Sequence, residues 1–137
     1  MINEFQGINR FLSNFWPAEV ILDGVRYPSV EYAYQASKTL DKNERKEIRT
    51  SRTSGEAKRL GRKITIRKDW ENVKLSIMEK LVRQKFQIPE LKKKLLATGN
   101  EELIEGNHWG DTFWGVCNKI GSNHLGKILM KIRTELK

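Results

Sequence analysis

This 137-residue sequence has a single cysteine, Cys117, and only two histidines, His108 and His124. One cysteine cannot make an internal disulfide, and the three residues together are too few for a convincing zinc site, so no metal is expected. The three prolines are scattered, and there is no repeat, low-complexity tract or linker, which points to one domain over residues 1–137. That length holds a single core without staples. Long apolar runs are also missing. Hydrophobic residues make up 38% of the chain, the mean hydropathy is −0.63, and no stretch approaches the ~20 apolar residues of a membrane span. The start, Met-Ile-Asn-Glu-Phe, has no basic stretch leading into an apolar one, so no secretory leader is expected. These absences leave a cytoplasmic protein with no metal, no cofactor and no membrane partner, monomeric by default.

Charge is present in excess of one sign, and unevenly. The formal net charge is +9. Residues 41–70 carry eleven Lys and Arg against five Asp and Glu, and residues 71–100 carry seven against three, whereas residues 1–40 and 101–137 are nearly balanced. A basic flank beside a neutral pocket suits a polyanionic ligand whose reacting part is uncharged. A solvated, lysine-rich helical surface would leave the same pattern.

Punctuation residues divide the chain into short elements. Ala18–Leu22 and Val25–Tyr27 flank Asp23-Gly24, a strong hairpin signal because a type I′ turn needs positive φ at both central residues. Pro28 stops the second strand and Ser29 is placed to cap a helix. Asp41–Thr50 reads as a short charged helix, and Thr53-Ser54 as the cap of another that ends at Gly61, read as a C′ residue. Ile64-Thr65-Ile66 reads as a strand-like link and Asp69 as the next cap. Val73, Ile77, Met78, Leu81, Val82 and Phe86 follow helical spacing, so 70–86 is the main core helix. Pro89 opens a helix over 90–97 closed by Gly99. Residues 101–114 read as loop with short extended pieces, and Leu125, Ile128, Leu129, Ile132 and Leu136 mark an amphipathic C-terminal helix. The expected fold class is α+β, predominantly helical, with a small N-terminal β-hairpin.

One segment stands out within this plan. Read as a helix, Pro28 to Lys38 puts Glu31, Gln35 and Lys38 at i, i+4 and i+7, on one face within two turns. A carboxylate, an amide and an amine are thereby aligned among Val30, Tyr32, Ala33, Tyr34 and Ala36, which would line a wall rather than face water.

The same run, EYAYQASK, follows FLSNFWP (Phe11 to Pro17) and DGVRYPSV (Asp23 to Val30). Further on come Ala57-Lys58-Arg59-Leu60-Gly61-Arg62, Asp69-Trp70-Glu71, Lys85-Phe86 and Leu95-Leu96-Ala97-Thr98-Gly99. Asp111-Thr112-Phe113-Trp114-Gly115, Asn123-His124-Leu125-Gly126 and Leu129-Met130 complete the set. In this order and at ordinary spacing, the motifs resemble the YbiA-like family, also called NADAR, over nearly the whole chain. The resemblance implies hydrolysis of N-glycosidic bonds. Some members of that family act on phosphoribosylamino intermediates of riboflavin synthesis, and others remove ADP-ribose from guanine bases.

Cleavage of such a bond passes through an oxocarbenium-like state that needs negative charge near C1 and help for the departing base. The resemblance singles out Glu31 and Asp111 as the carboxylates. Glu31 could equally be an acid favoured by a helix dipole, and Asp111 a turn residue or cap. Lys38 could attack C1 of an opened ribose as a neutral amine, which requires burial to lower its pKa, or it could pair with a phosphate or with Glu31. Trp16 and Trp114 suit stacking on a base, with core packing as the alternative for each, while Trp70 and Trp109 read as core and rim. Gly115 would let the backbone approach a ligand. Ser13 and Asn14 offer polar groups for ribose or phosphate, and Gln35 could read a base edge or orient Glu31. Lys58, Arg59 and Arg62 are candidate phosphate contacts, or a solvated face. Cys117 reads as a small core residue.

The expected activity is therefore an N-glycosidase removing ADP-ribose from guanine, with DNA or RNA as the carrier of the adduct. The alternatives are an N-glycosidase of phosphoribosylamino riboflavin intermediates and a non-catalytic module that binds NAD or ADP-ribose.

Overall fold

In the computed structural model, which describes residues 1–137, the Asp23-Gly24 turn takes the backbone expected of it, with φ of 49° and 80°. It joins β1 (Val20–Leu22) to β2 (Val25–Tyr27) as an antiparallel pair in which Leu22 faces Val25. Gln84 closes the outer edge of β1: its Oε1 accepts the Ile21 N–H at 2.7 Å and its Nε2 donates to the Ile21 carbonyl at 2.8 Å. A side-chain amide thus stands where another strand would add, which removes an exposed edge.

The hairpin belongs to a unit formed by Asn14–Lys85. Its helices are α1 (Val30–Ser37), α2 (Lys42–Arg49), α3 (Ser54–Leu60) and α4 (Trp70–Lys85). Ser29 caps α1, its Oγ accepting the Tyr32 N–H; Asp41 caps α2 through the Asn43 and Glu44 N–H groups; Thr53 caps α3 through Glu56. All eight residues of α1 are buried, because it packs against α2, α3, α4 and β1. Val20, Val30, Ala33, Ala36, Ile48, Met78, Leu81 and Val82 make the core around it.

The other unit consists of Met1–Ser13 and Phe86–Lys137. It holds a 3-10 helix (Gly7–Leu12), α5 (Pro89–Ala97), a two-residue parallel pair β3 (Gly106–Asn107) and β4 (Val116–Cys117), and α6 (His124–Leu136). Pro89 occupies the first turn of α5, and Gly99, with φ of 63°, turns the chain out of it. Leu91, Leu95, Leu103, Leu125, Leu129 and Ile132 are buried here.

The fold class is the expected one, α+β and mostly helical with a small hairpin near the N-terminus. No helix is long and apolar enough to cross a membrane. Two local expectations are corrected. Residues 64–66 form no strand: the Thr65 N–H donates to the Glu44 carboxylate at 3.1 Å instead of to a neighbouring strand. Gly61 follows α3 with φ of −61°, so its glycine identity is not explained by a left-handed turn. Asp69 stands directly before α4, and its carboxylate accepts from Arg67 at 2.6 and 3.1 Å. The 3-10 helix and the parallel pair were not foreseen; both are too short to leave a hydrophobic period.

Candidate active site

Helix α1 begins where several polar groups converge. The Glu31 N–H, one of the helix's orphan donors, reaches the Asn14 carbonyl at 3.1 Å. Ser29 Oγ lies 2.9 Å from Ser54 Oγ, which in turn donates to the Phe15 carbonyl. These contacts fix the first turn, and with it the direction in which Glu31 points.

Along the helix the three expected groups come together. Glu31 is 7% exposed and Gln35 3%, and Gln35 Nε2 donates to Glu31 Oε1 at 2.8 Å. One turn on, Lys38 closes the helix, its N–H donating to the Gln35 carbonyl, and its amine lies 5.3 Å from the centre of the Tyr34 ring. Tyr34 leans on Trp70 with ring centres 5.4 Å apart. A buried carboxylate cannot rely on water for its lone pairs, and the Gln35 amide supplies a hydrogen bond to one of its oxygens.

Burial is the main cause that lowers the Lys38 pKa below the ordinary lysine value. The Glu31 charge opposes this, and Arg62, Lys58 and Lys74 reinforce it. The amine therefore stands between one anion and three cations, an arrangement that favours its neutral, nucleophilic form more than an exposed lysine would. Of the basic residues singled out in the sequence, Lys58 is half-buried and Arg59 and Arg62 are exposed. Lys74 was missed. It sits on α4 one turn after Trp70, on the same helix face, and pairs with Glu71 at 2.8 Å. The i, i+4 spacing of Trp70 and Lys74 was the signal available for it.

Asn14 and Trp16 also lie in this unit. Asn14 Nδ2 is turned to the Met78 sulfur at 3.5 Å, and Trp16 is half-buried. Trp70 is a core residue, as expected.

In the other unit, Ser13 ends the 3-10 helix, and the remaining candidates share the loop between β3 and β4. Asp111 Oδ1 accepts the N–H groups of Phe113 at 3.1 Å and Trp114 at 2.9 Å, which tightens the turn leading to the indole. Buried Asn107, which sequence reasoning passed over, holds both the N–H and the carbonyl of Asp111 with its side-chain amide. Trp114 is 9% exposed, edge-on to Phe113 at 4.8 Å; the Phe113 ring centre is 4.5 Å from that of His124. The close approach at Gly115 is made by the chain itself: a Cβ there would lie 2.1 Å from the Glu105 carbonyl oxygen. Trp109 is 55% exposed and Cys117 is a half-buried free thiol.

Residues 3–137 match the NADAR domain. The N-glycosidase YbiA of Shigella boydii is 42% identical over 130 residues, covering 90% of this chain and 79% of that protein. The riboflavin biosynthesis protein VVA0006 of Vibrio vulnificus is 39% identical over 131 residues; the match takes in 93% of this chain but spans only 35% of that protein's length. The NMR structure of Escherichia coli YbiA superposes with a TM-score of 0.84 at 36% identity, covering 99% of this chain and 86% of that one.

Proposed function

The chain belongs to the NADAR family, and from that premise we propose that it hydrolyses N-glycosyl bonds, removing ADP-ribose from guanine. The observation that carries this reading is the buried row on α1: a carboxylate oriented by an amide, with an amine of lowered pKa in the field of three cations. The name N-glycosidase borne by the Shigella relative supports the reaction class.

In this reading Glu31 supplies the negative charge that an oxocarbenium-like C1 needs. Lys38 Nζ attacks C1 as the bond to the base breaks, and the base leaves with a proton. Ring opening gives an imine, which water hydrolyses to return the free amine and the sugar. Lys58, Arg62 and Lys74 hold the phosphates, and the rest of the basic middle follows the strand that carries the adduct. Asp111, in the other unit, orders the loop that carries Trp114. The substrate is then an intracellular polyanion.

The name of the Vibrio vulnificus relative favours a second reading, a phosphoribosylamino intermediate of riboflavin synthesis as substrate. A DNA strand carrying ADP-ribosyl-guanine and the phosphoribosylamino-uracil compound, assayed side by side by mass spectrometry, distinguish the two. The first reading predicts unmodified guanine in the strand, with a rate that falls steeply as salt is raised. Turnover of the small compound alone, indifferent to salt, selects the second.

A further inference from the structure

Gly61 has an ordinary right-handed helical backbone, so conformation does not require a glycine there. Space does. A Cβ built on Gly61 would lie 1.9 Å from Gln35 Oε1, 2.7 Å from its Cδ and 3.2 Å from its Cβ. Gly61 is buried, and the Gln35 side chain it faces is 3% exposed. The amide in question is the one whose Nε2 donates to Glu31 at 2.8 Å.

The two ends of the Gln35 amide are therefore assigned by their neighbours. A carboxylate accepts only from the NH2 end, which turns Oε1 toward Gly61, where it is buried with no hydrogen-bond partner. An unsatisfied buried acceptor is costly and rarely kept without a reason. The reason here is orientation: the amide is held in the one pose that presents its donors to Glu31.

We propose that Gly61 is a positioning residue for the active-site carboxylate: by leaving out its side chain, it admits the Gln35 amide and so locks Glu31 in place. The inference rests on Glu31 being the working carboxylate and adds why a glycine from another helix terminus is needed. An added methyl at residue 61 collides with the end of a flexible side chain, not with backbone, so the fold survives while Gln35 swings off Glu31.

The test is a set of four variants, Gly61→Ala, Gln35→Ala, the double variant and Glu31→Gln. They are assayed on whichever of the two adducts wild type cleaves, together with the 1H–15N signals of the Gln35 side-chain amide. Gly61→Ala is expected to keep its melting temperature within a few degrees and its KM within about twofold, and to lose on the order of 10- to 100-fold in kcat, as displaced catalytic groups do. Its Gln35 amide protons lose their protection from exchange. In the Gln35→Ala background the collision is absent, so adding Gly61→Ala changes kcat by less than about twofold; this comparison also holds if the single variant folds poorly, because the double variant then regains its fold. Full kcat with unchanged Gln35 signals in Gly61→Ala overturns the proposal, as does an equal kcat loss in both backgrounds. Full turnover by Glu31→Gln instead removes the role of Glu31. In that event the Gln35 signals alone decide whether Gly61 sets the amide.

Discussion

Two lysines bring out how differently burial acts on one residue type. Lys38 is partly buried at the end of α1 with an anion and three cations around it, and its pKa is lowered chiefly by burial. If its amine is the nucleophile, borohydride trapping on substrate should yield a covalent adduct in wild type and none in Lys38→Ala. Trapping should increase as pH rises through a midpoint below the ordinary ~10.4 of lysine. Arg62→Ala removes one of the cations that lower the pKa, so it should move this profile to higher pH. Lys85, at the end of α4, is fully buried, and burial takes its pKa down to about 7. Between that value and the unfolded value the unfolded chain binds the extra proton, so stability rises with pH across this window and is lowest below pH 7. The effect is on the order of a few kcal/mol. Urea denaturation of wild type and Lys85→Met should reveal it: the stability of wild type relative to the variant increases between pH 6 and pH 9. A constant difference would assign Lys85 the same protonation state folded and unfolded. Neither shift could be read from sequence, because a lysine late in a helix looks like any solvated dipole partner until its neighbours are known. Glu31, Gln35 and Lys38 were legible because helical spacing alone puts them on one face.

At the scale of elements, boundaries followed punctuation. Asp23-Gly24, Ser29, Asp41, Thr53, Pro89 and Gly99 each act through a local rule, and each stands where that rule places it. Ile64-Thr65-Ile66 did not become a strand, because β-propensity acts only where a partner strand offers its backbone, and Glu44 takes the Thr65 N–H instead. Gly61 was misread for a related reason: a glycine after a helix is usually conformational, and a steric cause lies in a residue 26 positions earlier. The cap of α1 links folding to the site, since Ser29 Oγ holds the Tyr32 N–H and also meets Ser54. Ser29→Ala should lower the unfolding free energy in urea by about 1 kcal/mol, a typical cap loss. It should also reduce turnover, because the first turn that aims Glu31 frays with it. Unchanged stability would mean that water replaces the hydroxyl without cost.

For the whole molecule, composition foretold a basic flank, and three of its cations act on Lys38 in the folded chain. Two of them, Lys58 and Arg62, come from the basic run of residues 41–70, while Lys74 comes from a helix whose charges looked like surface. Glu31, Gln35 and Lys38 stood out as one short local motif; Lys74 and Gly61, which reach that motif from other helices, did not, since only folding makes them neighbours. Loop residues 107–114 illustrate the same limit, with Asn107 organising Asp111 through contacts that no period marks. In the proposed function the buried Glu31 carboxylate drives cleavage of an N-glycosyl bond. The most direct test measures base release by mass spectrometry for wild type and Glu31→Gln on both adducts, with ligand affinity measured in parallel. The prediction is a folded variant that binds as wild type does and releases base at least about 100-fold more slowly, the scale of losing one charge stabiliser. Equal release by the two proteins would contradict it.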